Sequence, residues 1–426
     1  AHQYLDLRSM FEPITRRAYT VVRPDTMAEI TRLAFKYAER EKPGATFIDL
    51  PVNISHMPVA DTERPMQRKA ILPETALQSQ IEAAMISYAK NPVILAGSSA
   101  IRNHASEMLT KFAETLKIPV INTMMAKGVI PFDNPYSLWT VGIPMEDYQT
   151  KVLERASLVI AIGYDIIEYA PAKWHLSQAD IIHIDTMPAD INKNYEPAVE
   201  VVGDITDSLS RILEKAARLQ KPTYALDIRR RMVEEHESYA SDQSFPVKPQ
   251  KALIDCRRVM GEDDIVISDV GANKVWIARH YNCYKPNTCI ISNGFATMGI
   301  AVPGAIAAKL VHPNKKVLAI TGDAGFMMNC QEFETAYRLG TNFVTLIFND
   351  CSYGLIKWKQ DMQFGHHAYV DFTNPDFVKF AESVGAIGYR IEKTEDLLPT
   401  LEEAFAQDRP VIIDCPVDYG ENMKLT

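Results

Sequence analysis

Two acidic residues stand where parallel α/β sheets place their chemistry. The apolar run Lys316–Ile320 ends in Thr321-Gly322-Asp323-Ala324-Gly325, and the run Phe343–Phe348 ends in Asn349-Asp350-Cys351-Ser352-Tyr353-Gly354. Twenty-four residues lie between Ala324 and Asn349. That is enough for one helix and one strand, so both carboxylates return to the same sheet edge. Two carboxylates at neighbouring strand ends suit a hard divalent cation bound through oxygen. The small residues after Asp323 let backbone N–H groups approach a diphosphate, helped by the start of the following helix, GFMMNCQEFETAYRL. Mg2+ dehydrates reluctantly and commonly bridges a protein carboxylate to a phosphate. A lone Gly-Asp would signify an ordinary turn. The spacing, the two strands and the Asn-Asp pair together favour a cation–diphosphate cradle at Asp323 and Asp350. The loop pair His366-His367 reads as solvated.

The elements that must carry this cradle fall into three blocks. With 426 residues the chain is too long for one ordinary core. Residues 1–56 contain a helix opened by a Thr26/Glu29 capping box, with Met27, Ile30, Leu33, Ala34 and Tyr37 at helical spacing, and a buried strand at 45–50. Residues 57–75 read as a linker. Residues 76–220 alternate short apolar strands at 92–97, 119–121, 158–163 and 181–185 with helices, and 221–249 read as an exposed helix and second linker. Residues 250–426 repeat the alternation, with strands at 265–268, 316–320, 343–348 and 411–414. The fold class is therefore α/β, with doubly wound parallel sheets. A net charge of −9 argues against a general nucleic-acid or anionic-membrane surface, and no apolar run is long enough to span a bilayer. Six cysteines without CxxC or zinc spacing are expected as free thiols in a reducing cytoplasm.

The cradle resembles the cofactor motif of the thiamine-diphosphate enzyme family: Gly-Asp-Gly, a spacer of this length, then Asn-Asn or Asn-Asp. Ala324 stands where the second Gly is usual. Gly163-Tyr164, Glu168-Tyr169, Pro171-Ala172-Lys173-Trp174, His183-Ile184-Asp185, Asn194-Tyr195-Glu196-Pro197 and Val202-Gly203-Asp204-Ile205 narrow the resemblance to the catabolic, FAD-independent acetolactate synthases. So do Trp276-Ile277-Ala278-Arg279, Ile291-Ser292-Asn293-Gly294, Thr297-Met298-Gly299 and Pro416-Val417-Asp418-Tyr419. Each is weak alone, but their order covers nearly the whole chain.

The resemblance implies thiamine diphosphate and Mg2+ as cofactors, with FAD not expected. It makes Asp323, Asp350 and the carbonyl of Ser352 the metal ligands. It places Ala272 and Asn273 by the diphosphate, Met298 beneath the cofactor, and Leu355 and Ile356 along the thiazolium. Gly294, Thr297, Gly322, Ala324, Gly325, Tyr353 and Gly354 complete the cofactor set. Gln3 and Lys359 would face the second substrate; many members have Gln or Trp at the latter position, which leaves the acceptor open. The implied reaction decarboxylates pyruvate on thiamine diphosphate and condenses the hydroxyethyl enamine with a second pyruvate to 2-acetolactate, in a cytoplasmic homodimer or homotetramer. The family's activating Glu belongs to an N-terminal pyrimidine-binding domain of which residues 1–56 resemble only the end. This chain alone is therefore expected to be inactive or nearly so. A decarboxylase or carboligase for a larger 2-oxo acid, or a non-catalytic cofactor-binding relic, are the alternatives.

Overall fold

The computed structural model describes residues 5–60, 64–67, 72–86, 91–142, 147–175, 178–215 and 223–425. These form two compact units, Ala1–Glu74 and Thr75–Thr426. In the first, strand β1 (Arg17–Thr20) pairs in parallel with β2 (Thr46–Asp49), and a helix spans Met27–Glu39. The helix follows the expected apolar spacing, but the capping box does not form. The Thr26 hydroxyl donates instead to the Arg23 carbonyl at 2.8 Å, because Pro24–Thr26 is already a 3-10 turn. Strand β2 is half-buried along its length rather than buried.

The second unit holds two six-stranded sheets in which every paired strand runs parallel. The first sheet contains β3 (Pro92–Ala96), β4 (Val120–Asn122), β5 (Ser137–Thr140), β6 (Leu158–Ile162), β7 (Asp180–Asp185) and β8 (Val199–Val202), in the order β5-β4-β3-β6-β7-β8. The second contains β9 (Ile265–Ser268), β10 (Cys289–Ile291), β11 (Val317–Gly322), β12 (Val344–Asn349), β13 (Ile387–Arg390) and β14 (Val411–Pro416), in the order β10-β9-β11-β12-β14-β13. Short strands β5, β8, β10 and β13 lie at or near the edges and carry little apolar signal of their own.

Each sheet is covered on both faces, as parallel sheets require. Along β3, Ile94 and Ala96 enter one core while Val93 and Leu95 enter the other. Along β11, Leu318 and Ile320 face one layer and Val317 and Ala319 the opposite one. This period of two explains why the strands read as uninterrupted apolar runs. A fully buried Ile or Leu contributes roughly 1.5–3 kcal/mol here. Among the described residues no helix is long and apolar enough to cross a membrane. All six cysteines are free.

Two helices depart from expectation. The segment after Asp323 is broken into Asp323–Met328 and Glu332–Leu339, with Asn329-Cys330-Gln331 between them. The helix Thr223–Ser238 is not merely an exposed linker. Ala225, Ile228, Met232 and His236 are buried at helical spacing, and Arg229 donates to the carbonyls of Ser137 (2.7 Å) and Phe132 (3.1 Å). His236 stacks on His280 with ring centroids 5.6 Å apart and Nδ1 atoms 3.3 Å apart. Burial, and then the charge of Lys127, push His236 down to about 4. His280 is also pushed down, by burial, Arg279, His236 and Lys127. Both rings are therefore neutral in the fold, whereas the unfolded chain protonates them near its ordinary value. Stability is present above about pH 6.5 and is lost as pH falls towards 4, by roughly 3 kcal/mol from His236. Urea unfolding at pH 7.5 and pH 5 is expected to show this slope, and His236→Phe to flatten it. Equal slopes for both proteins would contradict the assignment.

Candidate active site

In the second sheet β10 lies on one side of β9 and β11 on the other, so the chain reverses direction across the sheet at β9. Folds of this kind open a crevice at the C-terminal strand ends beside such a reversal. A cavity of about 190 Å3 lies there. After β9 it is bordered by Val270, Gly271, Ala272 and Asn273, and after β11 by Gly322, Asp323, Ala324 and Gly325. After β12 it is bordered by Asp350, Ser352, Tyr353, Gly354, Leu355 and Ile356, with Ala296, Met298 and Tyr419 completing the wall.

Asp323 is buried, and its orientation is fixed from three sides. Its Oδ1 accepts from the Ala324 N–H at 2.8 Å, and its Oδ2 accepts from the Cys351 N–H at 2.8 Å and from Asn374 Nδ2 at 2.7 Å. Burial raises its carboxyl above the ordinary range despite these bonds. Asp350 accepts from the Ser352 hydroxyl at 2.5 Å. Burial, and after it the neighbouring charge of Asp323, push Asp350 up to about 7, with the Ser352 bond opposing them. Asn349 faces away from the cavity. Its Nδ2 donates to Asp414 at 2.8 Å, and its Oδ1 accepts from Asn374 at 2.9 Å. Alternation at the end of β12 thus turns Asp350, and not the Asn349 amide, towards the cavity, where it is the second acidic side chain.

The opposite wall depends on Asp269, which follows β9. Its two oxygens take the N–H groups of Gly299 (2.9 Å) and Ala301 (3.0 Å), which anchors the loop that brings Met298 to the cavity. Small residues keep the floor open. A Cβ at Gly354 would come within 2.8 Å of Asp350 Oδ2 and 3.0 Å of the Tyr419 ring. One at Gly325 would meet Thr321 Oγ1 at 2.9 Å and Asp269 Oδ1 at 3.0 Å.

Most of the expected residues therefore converge on one cavity. Gly294, Thr297 and Lys359 do not border it: Gly294 and Thr297 are exposed on the loop beside it, and Lys359 is exposed on helix Gly354–Phe364. Gln3 lies outside the described residues. Sequence reasoning missed Val270, Gly271, Ala296 and Tyr419 on the wall, and Asn374 and Asp269 behind it. Asn374 and Asp269 could only be found from the packing, since neither is part of a charged cluster in sequence. His367 pairs with Asp361 at 2.7 Å on the surface. A larger hollow of about 710 Å3 lies in the first unit beside helix Met27–Glu39. No glycine borders it, and its two acidic residues, Asp25 and Glu39, are exposed, so the chemistry is assigned to the smaller cavity.

Comparison with known proteins agrees with this geometry. Residues 269–415 match the model for the thiamine pyrophosphate enzyme C-terminal TPP binding domain, and residues 81–212 match that for the central domain. Acetolactate synthase of Bacillus subtilis is 33% identical over 432 residues, covering 100% of this chain and 76% of the relative.

The chain belongs to the thiamine pyrophosphate enzyme family.

The catabolic acetolactate synthase of Raoultella terrigena is also 33% identical, over 99% of this chain and 77% of the relative. A probable acetolactate synthase large subunit of Methanocaldococcus jannaschii is 33% identical over 100% and 75%. Within this thiamine pyrophosphate enzyme, the matched TPP binding domain contains every residue of the cavity wall except Tyr419. The residues present also suit a divalent cation. Among the described residues, no group of three or more His, Cys, Asp or Glu could hold a metal. The charge of Asp323 nevertheless raises the proton affinity of half-buried Asp350, a repulsion that a cation between them would relieve. Mg2+ takes one or two carboxylates and completes its shell with phosphate and water.

Proposed function

We propose that this protein is an acetolactate synthase that decarboxylates one pyruvate and joins the remaining two-carbon unit to a second. The observation that carries the reading is the pairing of buried Asp323 and half-buried Asp350 at the ends of β11 and β12, over a glycine-lined floor, inside a thiamine-pyrophosphate-binding domain. Thiamine diphosphate, when bound, supplies the electron sink that makes loss of CO2 possible. Asp323, Asp350 and the Ser352 carbonyl would hold Mg2+ against the diphosphate. Ala272, Asn273, Gly322, Ala324 and Gly325 would present backbone and amide groups to the same phosphates. Met298 would support the cofactor from the loop anchored by Asp269, and Leu355 and Ile356 would offer it an apolar wall.

Two lysines outside the cavity wall, Lys274 and Lys359, would attract substrate carboxylates. Lys274 donates to the Ser292 carbonyl (3.4 Å) and to Asn293 Oδ1 (3.3 Å), and its ammonium is pushed down by burial and then by the charge of Lys359. Lys359 is exposed, one helical turn beyond Leu355. Lys359→Gln is expected to slow acetolactate formation about tenfold, the scale of one charge-assisted contact, while CO2 release falls much less and the two-carbon unit that finds no acceptor leaves as acetaldehyde. Measuring the two products separately checks this; an equal fall in both would remove Lys359 from the acceptor step. Phe295, 92% exposed on the loop beside the cavity, supports a second copy of the chain completing the site in a homodimer or homotetramer.

The test of the reading is product analysis with pyruvate, thiamine diphosphate and Mg2+. One CO2 per acetolactate, with acetoin after acidification, is the expected result. Acetaldehyde alone, or a requirement for a larger 2-oxo acid, would contradict it.

A further inference from the structure

The first six-stranded sheet has the strand order of a dinucleotide-binding fold, with its direction reversing between β3 and β6. At that point the segment following β6 turns back over the strand ends. Glu168 on this segment is buried, and its carboxylate is fully engaged. Oε1 accepts from the Ser98 N–H at 3.0 Å and the Ser98 hydroxyl at 2.8 Å, and Oε2 accepts from the Thr123 hydroxyl at 2.5 Å. Ser98 follows β3 and Thr123 follows β4, so one side chain reaches from β6 across two neighbouring strand ends. Arg102 donates to the Ser98 hydroxyl at 2.7 Å. Burial raises the Glu168 carboxyl above its ordinary range, opposed by the bonds from Thr123 and Ser98 and then by the charge of Arg102.

The strand ends beneath Glu168 pack backbone against backbone. A Cβ at Gly97 would lie 2.3 Å from the Gly163 carbonyl oxygen, and one at Gly163 would lie 2.2 Å from the Ala100 nitrogen. The segment is secured behind Glu168 as well. Tyr164 donates to the Tyr169 carbonyl at 2.5 Å, and Trp174 Nε1 donates to the Tyr164 hydroxyl at 3.0 Å.

Glu168 also faces the other sheet. Its main-chain carbonyl accepts from Asn293 Nδ2 at 3.0 Å. Asn293 opens the loop that carries Ala296 and Met298, two residues of the cavity wall.

We propose that Glu168 is an internal anion filling the place where folds of this strand order hold a nucleotide's phosphates, and that through its carbonyl and Asn293 it positions the loop beneath the thiamine diphosphate cavity. Glu168 is thus a positioning residue that couples the two sheets. The carboxylate keeps the segment in place, the carbonyl follows the carboxylate, and Asn293 follows the carbonyl. Losing the anion leaves buried donors on Ser98 and Thr123 without an acceptor, which shifts the segment rather than emptying it.

The proposal rests on thiamine diphosphate as the cofactor, and its test separates the two. Cofactor affinity is measured by calorimetry with Mg2+ for the wild type, Glu168→Ala, Glu168→Gln and Asn293→Ala. Glu168→Ala and Asn293→Ala are each expected to bind about tenfold more weakly, the scale at which a loosened supporting contact acts. Glu168→Gln, which keeps an acceptor oxygen, is expected to remain closer to the wild type. Acetate, which replaces the deleted carboxylate, is expected to restore affinity to Glu168→Ala but not to Asn293→Ala, with chloride as the control. A purely structural role would lower the melting temperature without this selective rescue. Wild-type affinity in Asn293→Ala would overturn the coupling even if Glu168→Ala fails to fold. Rescue by chloride as effective as that by acetate would overturn the internal anion. No binding by the wild type would overturn the cofactor reading and this proposal with it.

Discussion

Asp323→Ala is expected to lower Mg2+-dependent affinity for thiamine diphosphate by about a thousandfold, the cost of leaving buried charge without its partner. The side chain supplies one of only two carboxylates on the cavity wall, and it is held rigidly by Ala324, Cys351 and Asn374. Its removal takes away a metal ligand and frees three donors at once. Asp323→Asn separates these effects, because it keeps the volume but not the charge. Calorimetric titration of thiamine diphosphate with and without Mg2+ is the check. Affinity within a few-fold of wild type in both variants would remove Asp323 from the metal site.

Gly97→Ala is expected to destabilise the second unit by about 3 kcal/mol or more, the upper range for overpacking against backbone. The added methyl, at the end of β3, would lie 2.3 Å from the Gly163 carbonyl oxygen and 2.4 Å from the Tyr164 Cα, both main-chain atoms just after β6. No rotamer change relieves such a contact. Gly163→Ala should behave similarly, because its φ of +59° is left-handed and its Cβ would meet Ala100. Urea unfolding measures the loss, and a midpoint equal to the wild type would show that the strand ends have room to separate.

The parallel α/β class was legible because the central strands of both sheets are buried on two faces and read as apolar runs. The edge strands were not, since three or four residues such as Cys289–Ile291 carry too little pattern to separate from a loop. The capping box at Thr26 failed for a local reason: the preceding Pro24 starts a 3-10 turn that occupies the hydroxyl. The helix Thr223–Ser238 was read as exposed because its charges dominate its composition, while its four buried positions count only once a neighbouring element covers them. At the cavity, the residues adjacent in sequence to the two acidic turns were readable, because strand ends fix their location. Asn374 and Asp269 were not, because their roles consist of hydrogen bonds to groups 51 and 30 positions away in sequence. Lys359 was placed by helical spacing alone, and the fold leaves it exposed, outside the cavity wall.

The most direct test of the account is the position of the metal itself. Crystals grown with thiamine diphosphate and Mn2+ in place of Mg2+ give an anomalous signal that only the cation produces. The account predicts one peak between the carboxylates of Asp323 and Asp350, at about 2.1 Å from an oxygen of each and from the Ser352 carbonyl, with diphosphate oxygens completing the octahedron. Thiamine diphosphate bound with the peak elsewhere, or with either carboxylate turned away from it, would contradict it.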